Sequence, residues 1–244
     1  SPAGSPATVL VATDGGVSLL ESQQWTLAQK AAHMQAAVSP RHDRHGYVTD
    51  CALVPAGNLS GYELRASDND GLWTSIYAAS QALRYATTRE PAARAEAIRR
   101  YEALHFLFEA PAAGPPWRFP ARSVVRVGEA YGPSRCPLAP CWRNSTTRPG
   151  WVWKADTSSD ELTGHTFFYP LLNRHGDLNA SEAASVRTVV DGLVGGLVMH
   201  NLSLIDPGTG KHTSWGNFGP HWLNDVRSWS DDRGLRALEI LSYL

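Results

Sequence analysis

The sequence predicts a mainly α-helical fold, a partial (α/α) toroid of antiparallel helical hairpins with long loops, preceded by a short β-hairpin. Three observations predict it. Apolar residues recur at helical spacing through several long stretches. The helices pair across short links, as antiparallel helical hairpins do. Each pair is followed by a long loop rich in acids and tryptophans that feeds the next helix. A toroid requires this plan, because inner and outer helices alternate and the inner helix ends turn their loops toward one shared cleft. A chain of 244 residues with 43% hydrophobic content can bury a substantial core in one or two domains.

Residues 8–20 (TVLVATDGGVSLL) read as the β-hairpin, an apolar strand, a Thr-Asp-Gly-Gly turn and a second apolar run. Two strands alone are not stable in water, so the hairpin completes something else. The domain border falls between residues 20 and 21. Residues 23–38 form an Ala-rich helix with Trp25, Leu27, Ala31 and Met34 on its apolar side, ending before Pro40. A long loop follows, carrying Arg41-His42-Asp43-Arg44-His45, Cys51 and Asn58; such loops usually line a site. Residues 71–88 and 92–109 form the next hairpin, with Pro91 suited to a first helical turn. Residues 110–150 are dense in Pro, Gly and Arg, yet Trp117, Phe119 and Trp142 give them apolar anchors, as in a folded active-site loop. Ser158 and Glu161 stand in the S-x-x-E relation of a capping box and start a helix that reaches residue 173. Residues 180–200 return antiparallel to it. Residues 203–211 (SLIDPGTGK) read as strand, turn and return, residues 215–220 as an aromatic loop, and a last helix starts at Asp232 and is cut in mid-pattern at Leu244.

Two segments carry the chemistry: SDNDGLWTSIYAA at 67–79 and WVWKADTSSDELTGH at 151–165. Each sets acids at the mouth of an apolar helix beside tryptophans. Asp at a helix N-terminus is ordinarily a cap that suits the helix dipole. The company of Trp73, Trp151 and Trp153 raises the functional reading, since sugars are held on aromatic faces and cleaved by carboxyl pairs. Asp70 and Asp156 are the candidate acid and base, with Asp160 as the alternate partner. His42, Asp43 and His45 in one loop, with His165 elsewhere, suit the acid and base of a lyase, or a metal, and His42, His45, Trp73, Arg122, Trp153 and Trp215 are candidate substrate contacts. Arg41, Arg44 and Arg122 suit a uronate carboxylate or a sulfate, or tie loops together. No metal is expected: HExxH and CxxC spacings are missing, and Asp68-Asn69-Asp70-Gly71 lacks the downstream Glu of a calcium loop. Ser158 and Ser159 lack a nucleophile elbow and are explained by capping. No cofactor is implied.

A net charge of -1 argues against a nucleic-acid partner, and no apolar run is long enough to span a bilayer. Asn58, Asn144, Asn179 and Asn201 all begin N-glycosylation sequons, half of the chain's asparagines, which favours a secreted or cell-surface protein. Cys136 and Cys141 in CPLAPC suit a disulfide in an oxidising compartment, leaving Cys51 unpaired or joined to a segment outside the chain. Residues 1–7 lack a signal peptide's basic and apolar regions, as in a mature or excised piece.

Taken in order, RHDRHG at 41–46, DNDGLWT at 68–74, FPARS at 119–123, WKADTSSDE at 153–161 with Gly164-His165, and Trp215-Gly216 resemble the C-terminal six-hairpin, (α/α)6-type glycosidase-like domains of secreted proteins that also carry a two-component-regulator-type β-propeller. The resemblance runs from about residue 21 to the end. It implies that residues 8–20 are the last propeller strands and that about half of the toroid's helices lie beyond Leu244 or are absent. It implies fold more than activity, with a glycan or polysaccharide as partner. Two functions follow: a glycoside hydrolase or polysaccharide lyase using a carboxylate pair in a Trp-lined cleft, or a non-catalytic structural or glycan-binding glycoprotein module of an extracellular assembly.

Overall fold

A computed structural model of the chain describes residues 8–112, 114–129 and 140–244. The protein is mainly α-helical, with about half of the chain in helices and the strands in small antiparallel sheets. It divides into two compact units, 1–40 and 41–244, so the border falls after most of the first helix rather than after the hairpin.

In the first unit, β1 (Thr8–Thr13) pairs antiparallel with β2 (Gly16–Glu21) around Asp14-Gly15, and both strands are exposed throughout. Helix α1 (Leu27–His42) begins later than its apolar pattern suggests. The reason is a capping box the pattern hides: Thr26 Oγ1 accepts from the Gln29 amide at 3.2 Å, and Gln29 Oε1 accepts from the Thr26 amide at 2.8 Å. The helix also continues through Pro40, and its expected apolar side stays open, with Leu27 87% and Met34 55% exposed. Pro40 has no N–H to donate to the carbonyl four residues before it, so the last turn of α1 carries one intrahelical bond fewer.

In the second unit, the expected loop after α1 is two ordered hairpins. β3 (Asp43–Arg44) and β4 (Tyr47–Val48) are joined by His45 and Gly46, both with positive φ, the requirement of a tight two-residue turn. That turn sends Tyr47 inward, where its hydroxyl donates to the Ala103 carbonyl at 2.5 Å. β5 (Asp50–Leu53) pairs with β6 (Tyr62–Arg65). The helices α2 (Asp70–Thr88) and α3 (Pro91–Glu109) follow, turned by Arg89 in the left-handed region. β7 (Val124–Arg126), β8 (Trp142–Asn144) and β9 (Trp151–Lys154) form a sheet with β9 in the centre, so residues 151–154 are strand rather than the approach to a helix. Then come α4 (Ser159–His175), α5 (Ala180–Met199), the pair β10 (Ser203–Ile205) and β11 (His212–Asn217), the short α6 (Pro220–Asp225), a 3-10 turn at Arg227–Asp232, and α7 (Arg233–Tyr243). The Trp215 segment is therefore the end of a strand, and α6 was not legible in the pattern.

Helices α2 and α4 lie side by side in the same direction. Near their starts, Gly71 faces Glu161 and Gly164 faces Leu72 and Ser75; near their ends, the Tyr85 hydroxyl donates to Asp177 at 3.2 Å. Small residues make this approach possible: the buried stripe of α2 is Gly71, Thr74, Ser75, Ala78, Ala79 and Ala82. A Cβ on Gly164 would sit 2.7 Å from the Leu72 Cα, inside van der Waals contact. Helices α3 and α5 return outside them, and Leu104, Leu107, Phe108, Leu162, Phe168, Leu172, Val189, Leu193 and Leu197 fill the core. Each such buried side chain stabilises by about 1.5–3 kcal/mol.

Candidate functional site

The polar residues singled out in the sequence converge where α2 and α4 begin. Asp70 opens α2 and is fully buried. Its Oδ2 pairs with Arg44 at 2.8 Å and accepts from the Ser123 hydroxyl; its Oδ1 accepts from the amide of Ser67 at 2.9 Å and its hydroxyl at 2.8 Å. Both oxygens are thus committed within the protein. Arg44 also donates to the Val124 carbonyl at 2.9 Å, so one ion pair ties β3, the start of α2 and β7 together. Burial raises the Asp70 pKa more than Arg44 and the serines lower it.

Arg122 is a second buried hub. It donates to the carbonyls of Asp68 at 2.7 Å and Asp156 at 3.3 Å, to Asn69 Oδ1 at 3.1 Å and to Ser158 Oγ at 3.3 Å. Lys154, on β9, pairs with Asp68 and lies 5.7 Å from the centre of the Trp142 ring. Burial pulls its pKa down to about 8, against Asp156 and Glu161, which push it up. Asp156 has left-handed φ, which Asp tolerates better than most residues, and the turn sends its side chain inward. Its Oδ1 accepts from the Ser214 amide at 2.6 Å, while Oδ2 has no partner.

Glu161 was not picked out as functional by its sequence position. The capping box it suggests does not form, because Ser158 makes no side-chain cap bond and the Glu161 carboxyl turns into the interior against Gly71. It is fully buried and neither oxygen has a hydrogen-bond partner; the Leu72 amide pulls on it without reaching bonding geometry. Burial is the largest influence and raises its pKa well above the ordinary carboxylate value, with Arg122 opposing and Asp70 and Asp160 reinforcing. One helical turn on, His165 is buried with Nδ1 2.8 Å from the Tyr169 hydroxyl and Nε2 unpartnered; burial pulls its pKa down to about 3. Nothing in the sequence alone sets residue 71 opposite residue 161, the juxtaposition that gives Glu161 its environment.

Above this buried layer stands an exposed one. Asp160 is at the surface and accepts from Asn69 Nδ2 at 3.4 Å. Trp73 stands one turn beyond Asn69 on α2 and is 45% exposed; Trp215, 47% exposed, is bridged through its backbone to Ser158, two residues before Asp160. Backbone and hydrogen-bond links thus run from Trp73 through Asn69 to Asp160, and from Trp215 to Ser158 two residues before it. Trp153, by contrast, is buried in the sheet with Arg143 stacked over it. His42 donates from Nδ1 to the Thr49 carbonyl at 3.0 Å, and His45 Nε2 lies 2.5 Å from Glu129 Oε1 with its ring edge-to-face on Trp151. His45, Arg44, Asp43, Leu64 and Glu129 border a separate cleft of about 450 Å³.

All four sequon asparagines are exposed; Asn179 also forms the capping box of α5 with Glu182. Cys141 is disulfide-bonded, Cys51 is free, and Cys136 lies outside the described residues. Among the described residues no group of His, Cys, Asp and Glu is arranged to hold a metal, and no helix is long and apolar enough to cross a membrane. Compared with known protein families, characterised proteins and solved structures, the chain matches none of them.

Proposed function

We propose that the chain is an extracellular glycan-recognising domain of the α/α-toroid class, which holds sugar on the face where Trp73 and Trp215 are linked through Asp160. The observation that carries this reading is the division between the two layers. Asp70, Arg44 and Arg122 are committed to bonds within the protein, whereas the two indoles and Asp160 remain open. Aromatic faces bind the apolar side of a pyranose, and a carboxylate between them accepts from its hydroxyls. The toroid class is supported by parallel α2 and α4 with α3 and α5 returning outside them. Secretion is supported by four exposed sequons and the disulfide at Cys141. Titrating the protein calorimetrically with a panel of neutral and uronate-containing polysaccharides tests the proposal. Trp73→Ala and Trp215→Ala are each expected to weaken binding about tenfold, the equivalent of about 1.4 kcal/mol. Binding that is absent from the unaltered chain, or indifferent to both substitutions, overturns it.

A second reading, hydrolysis or elimination, rests on Glu161 and Asp156. A carboxyl kept protonated by burial is suited to donate to a leaving oxygen, and Asp156 Oδ2 is free to act as its partner. Both groups are buried, so this reading requires the polar layer to open on substrate. Release of reducing ends or unsaturated uronates, abolished by Glu161→Gln and Asp156→Asn, is its expected result; no release from a polysaccharide that binds removes it.

A further inference from the structure

We propose that the groove between α3 and α5 is a second saccharide subsite, distinct from the Trp73 and Trp215 face, which accommodates one or two neutral sugar rings. The groove encloses about 560 Å³, within the range of roughly 300–1,000 Å³ found for small-ligand pockets. One wall is a single stripe of α3, the other the first turns of α5, and Trp151 and Arg148 close one end. The walls are fixed by two cross-links, Arg94 to Glu182 at 2.6 Å and Tyr101 to Ser185 at 2.6 Å between hydroxyls. The groove is thus a preformed feature between two braced helices.

Its lining combines apolar rings with hydrogen-bonding groups of both kinds. Phe106 and Trp151 meet edge-to-face with ring centres 5.1 Å apart, and Tyr101 continues the aromatic surface. Among the described residues, the Glu102 carboxylate and the Ser181 hydroxyl have no hydrogen-bond or ion-pair partner, and the His105 Nε2 is unpartnered. Burial lowers the His105 pKa; its Nε2 is enclosed against the interior and its Nδ1 lies 3.4 Å from Glu109 Oε1, so the ring serves the groove as wall. Arg148 pairs with Glu109 at 2.7 Å and lies over the Phe106 ring at 5.6 Å, which holds its remaining N–H donors at the mouth.

The charges argue against an organic cation as the occupant. Three glutamates line the groove, but Glu109 is neutralised by Arg148 and Glu182 by Arg94, so Glu102 alone is left free. An aromatic wall edged by one free acceptor, one hydroxyl and guanidinium donors matches a ring with an apolar face and a belt of hydroxyls.

The test is a titration followed by the indole N–H and backbone amide signals in nitrogen-labelled protein. The probes are glucose, galactose, mannose, N-acetylglucosamine and their common disaccharides, with tetramethylammonium as the cation control. The expected result is a shift of the Trp151 indole and of α3 and α5 amides with at least one sugar. Glu102→Ala is expected to weaken that affinity about tenfold, as the loss of a charge-assisted hydrogen bond does. Trp151→Leu is expected to abolish it; Glu102 is exposed, so its substitution decides the matter if Trp151→Leu does not fold. Four results overturn the proposal: no shift with any sugar, shifts confined to the Trp73 and Trp215 indoles, affinity unchanged in Glu102→Ala, or shifts with the cation alone. Because different indoles report the two faces, failure here leaves the reading of the Trp73 face standing, and the reverse.

Discussion

Glu161→Gln separates two descriptions of the buried layer. In one, burial keeps the carboxyl protonated in the native state; in the other, it is an ionised partner of Arg122. The unfolded carboxyl titrates near its ordinary value of 4.5, and burial places the folded value well above that. Between the two, the native state retains a proton that the unfolded state has released, so stability falls by about 1.4 kcal/mol for each pH unit gained. Its stabilising effect is therefore complete below 4.5 and lost as pH rises through the folded value. His165 acts in the opposite sense, since burial takes its pKa from 6.5 to about 3 and the unfolded state binds the extra proton in that window. Its stabilising effect is complete above 6.5 and lost as pH falls toward 3. Above 4.5 the two slopes oppose each other for as long as both groups titrate, and that of Glu161 ends at its folded value. Urea unfolding followed by tryptophan fluorescence, in steps from about pH 5 to about pH 9, measures this directly. The variant is expected to gain on the unaltered protein by about 1.4 kcal/mol per pH unit from 4.5 upward until Glu161 ionises in the folded state. Asp70 and Lys154 titrate in both proteins, so the difference between the curves reports Glu161. A variant destabilised by about 3–5 kcal/mol at neutral pH, with parallel curves above it, would show a broken ion pair with Arg122 and refute the reasoning.

Arg44→Met leaves the Asp70 carboxyl buried without its cation and is expected to cost about 3–5 kcal/mol in urea unfolding, while adding Asp70→Leu recovers part of the loss. A loss under about 1 kcal/mol would mean that water replaces the guanidinium. Gly164→Ala forces a Cβ to 2.7 Å from the Leu72 Cα, where backbone must move, and is expected to cost about 1–3 kcal/mol. Gly195→Ala on α5 meets nothing within 4 Å and is expected to gain about 0.4–1 kcal/mol in the same assay; equal effects at the two glycines would contradict the close approach of α2 and α4.

The legible part of the fold was the part decided locally. The helix pairs of α2 with α3 and α4 with α5 lie close to their apolar patterns, because period and turn residues set their limits. Where a second signal competes, the pattern misleads. Thr26 and Gln29 start α1 late through a capping box, whereas Ser158 and Glu161 have the same spacing and form none. The difference is tertiary: α1 has no buried residue, so its Gln is free to cap, while α4 packs against Gly71 and draws its Glu inside. The loop after α1 read as irregular because strands of two to four residues carry too little alternation to be seen. Of the candidate site, the sequence segments converge as a group, but the residues inside them exchange places. Asp70 and Trp153 are interior, and the open groups are Asp160, Trp73 and Trp215.

That exchange follows from placing two parallel helices in contact through glycine. When α2 and α4 start side by side, their N-terminal dipoles and free amides point to the same end, and a cluster of carboxylates there is favourable for both. Carboxylates buried together repel, and each raises the pKa of its neighbour, so the arrangement needs cations inserted from outside the helices. Arg44 arrives on the β3–β4 turn, Arg122 on the segment before β7, and Lys154 at the end of β9, each from a different loop. The long loops are thereby fixed to the helix starts by charge, although among the described residues none contains a long helix or strand of its own. Trp215 is attached to the same frame through Ser158 and through the Ser214 amide on Asp156. The glycan-binding face proposed above needs no buried group to touch the sugar. It needs the buried groups to keep two exposed indoles in register, and losing any one cation would be felt at the indoles as displacement before it was felt as missing chemistry.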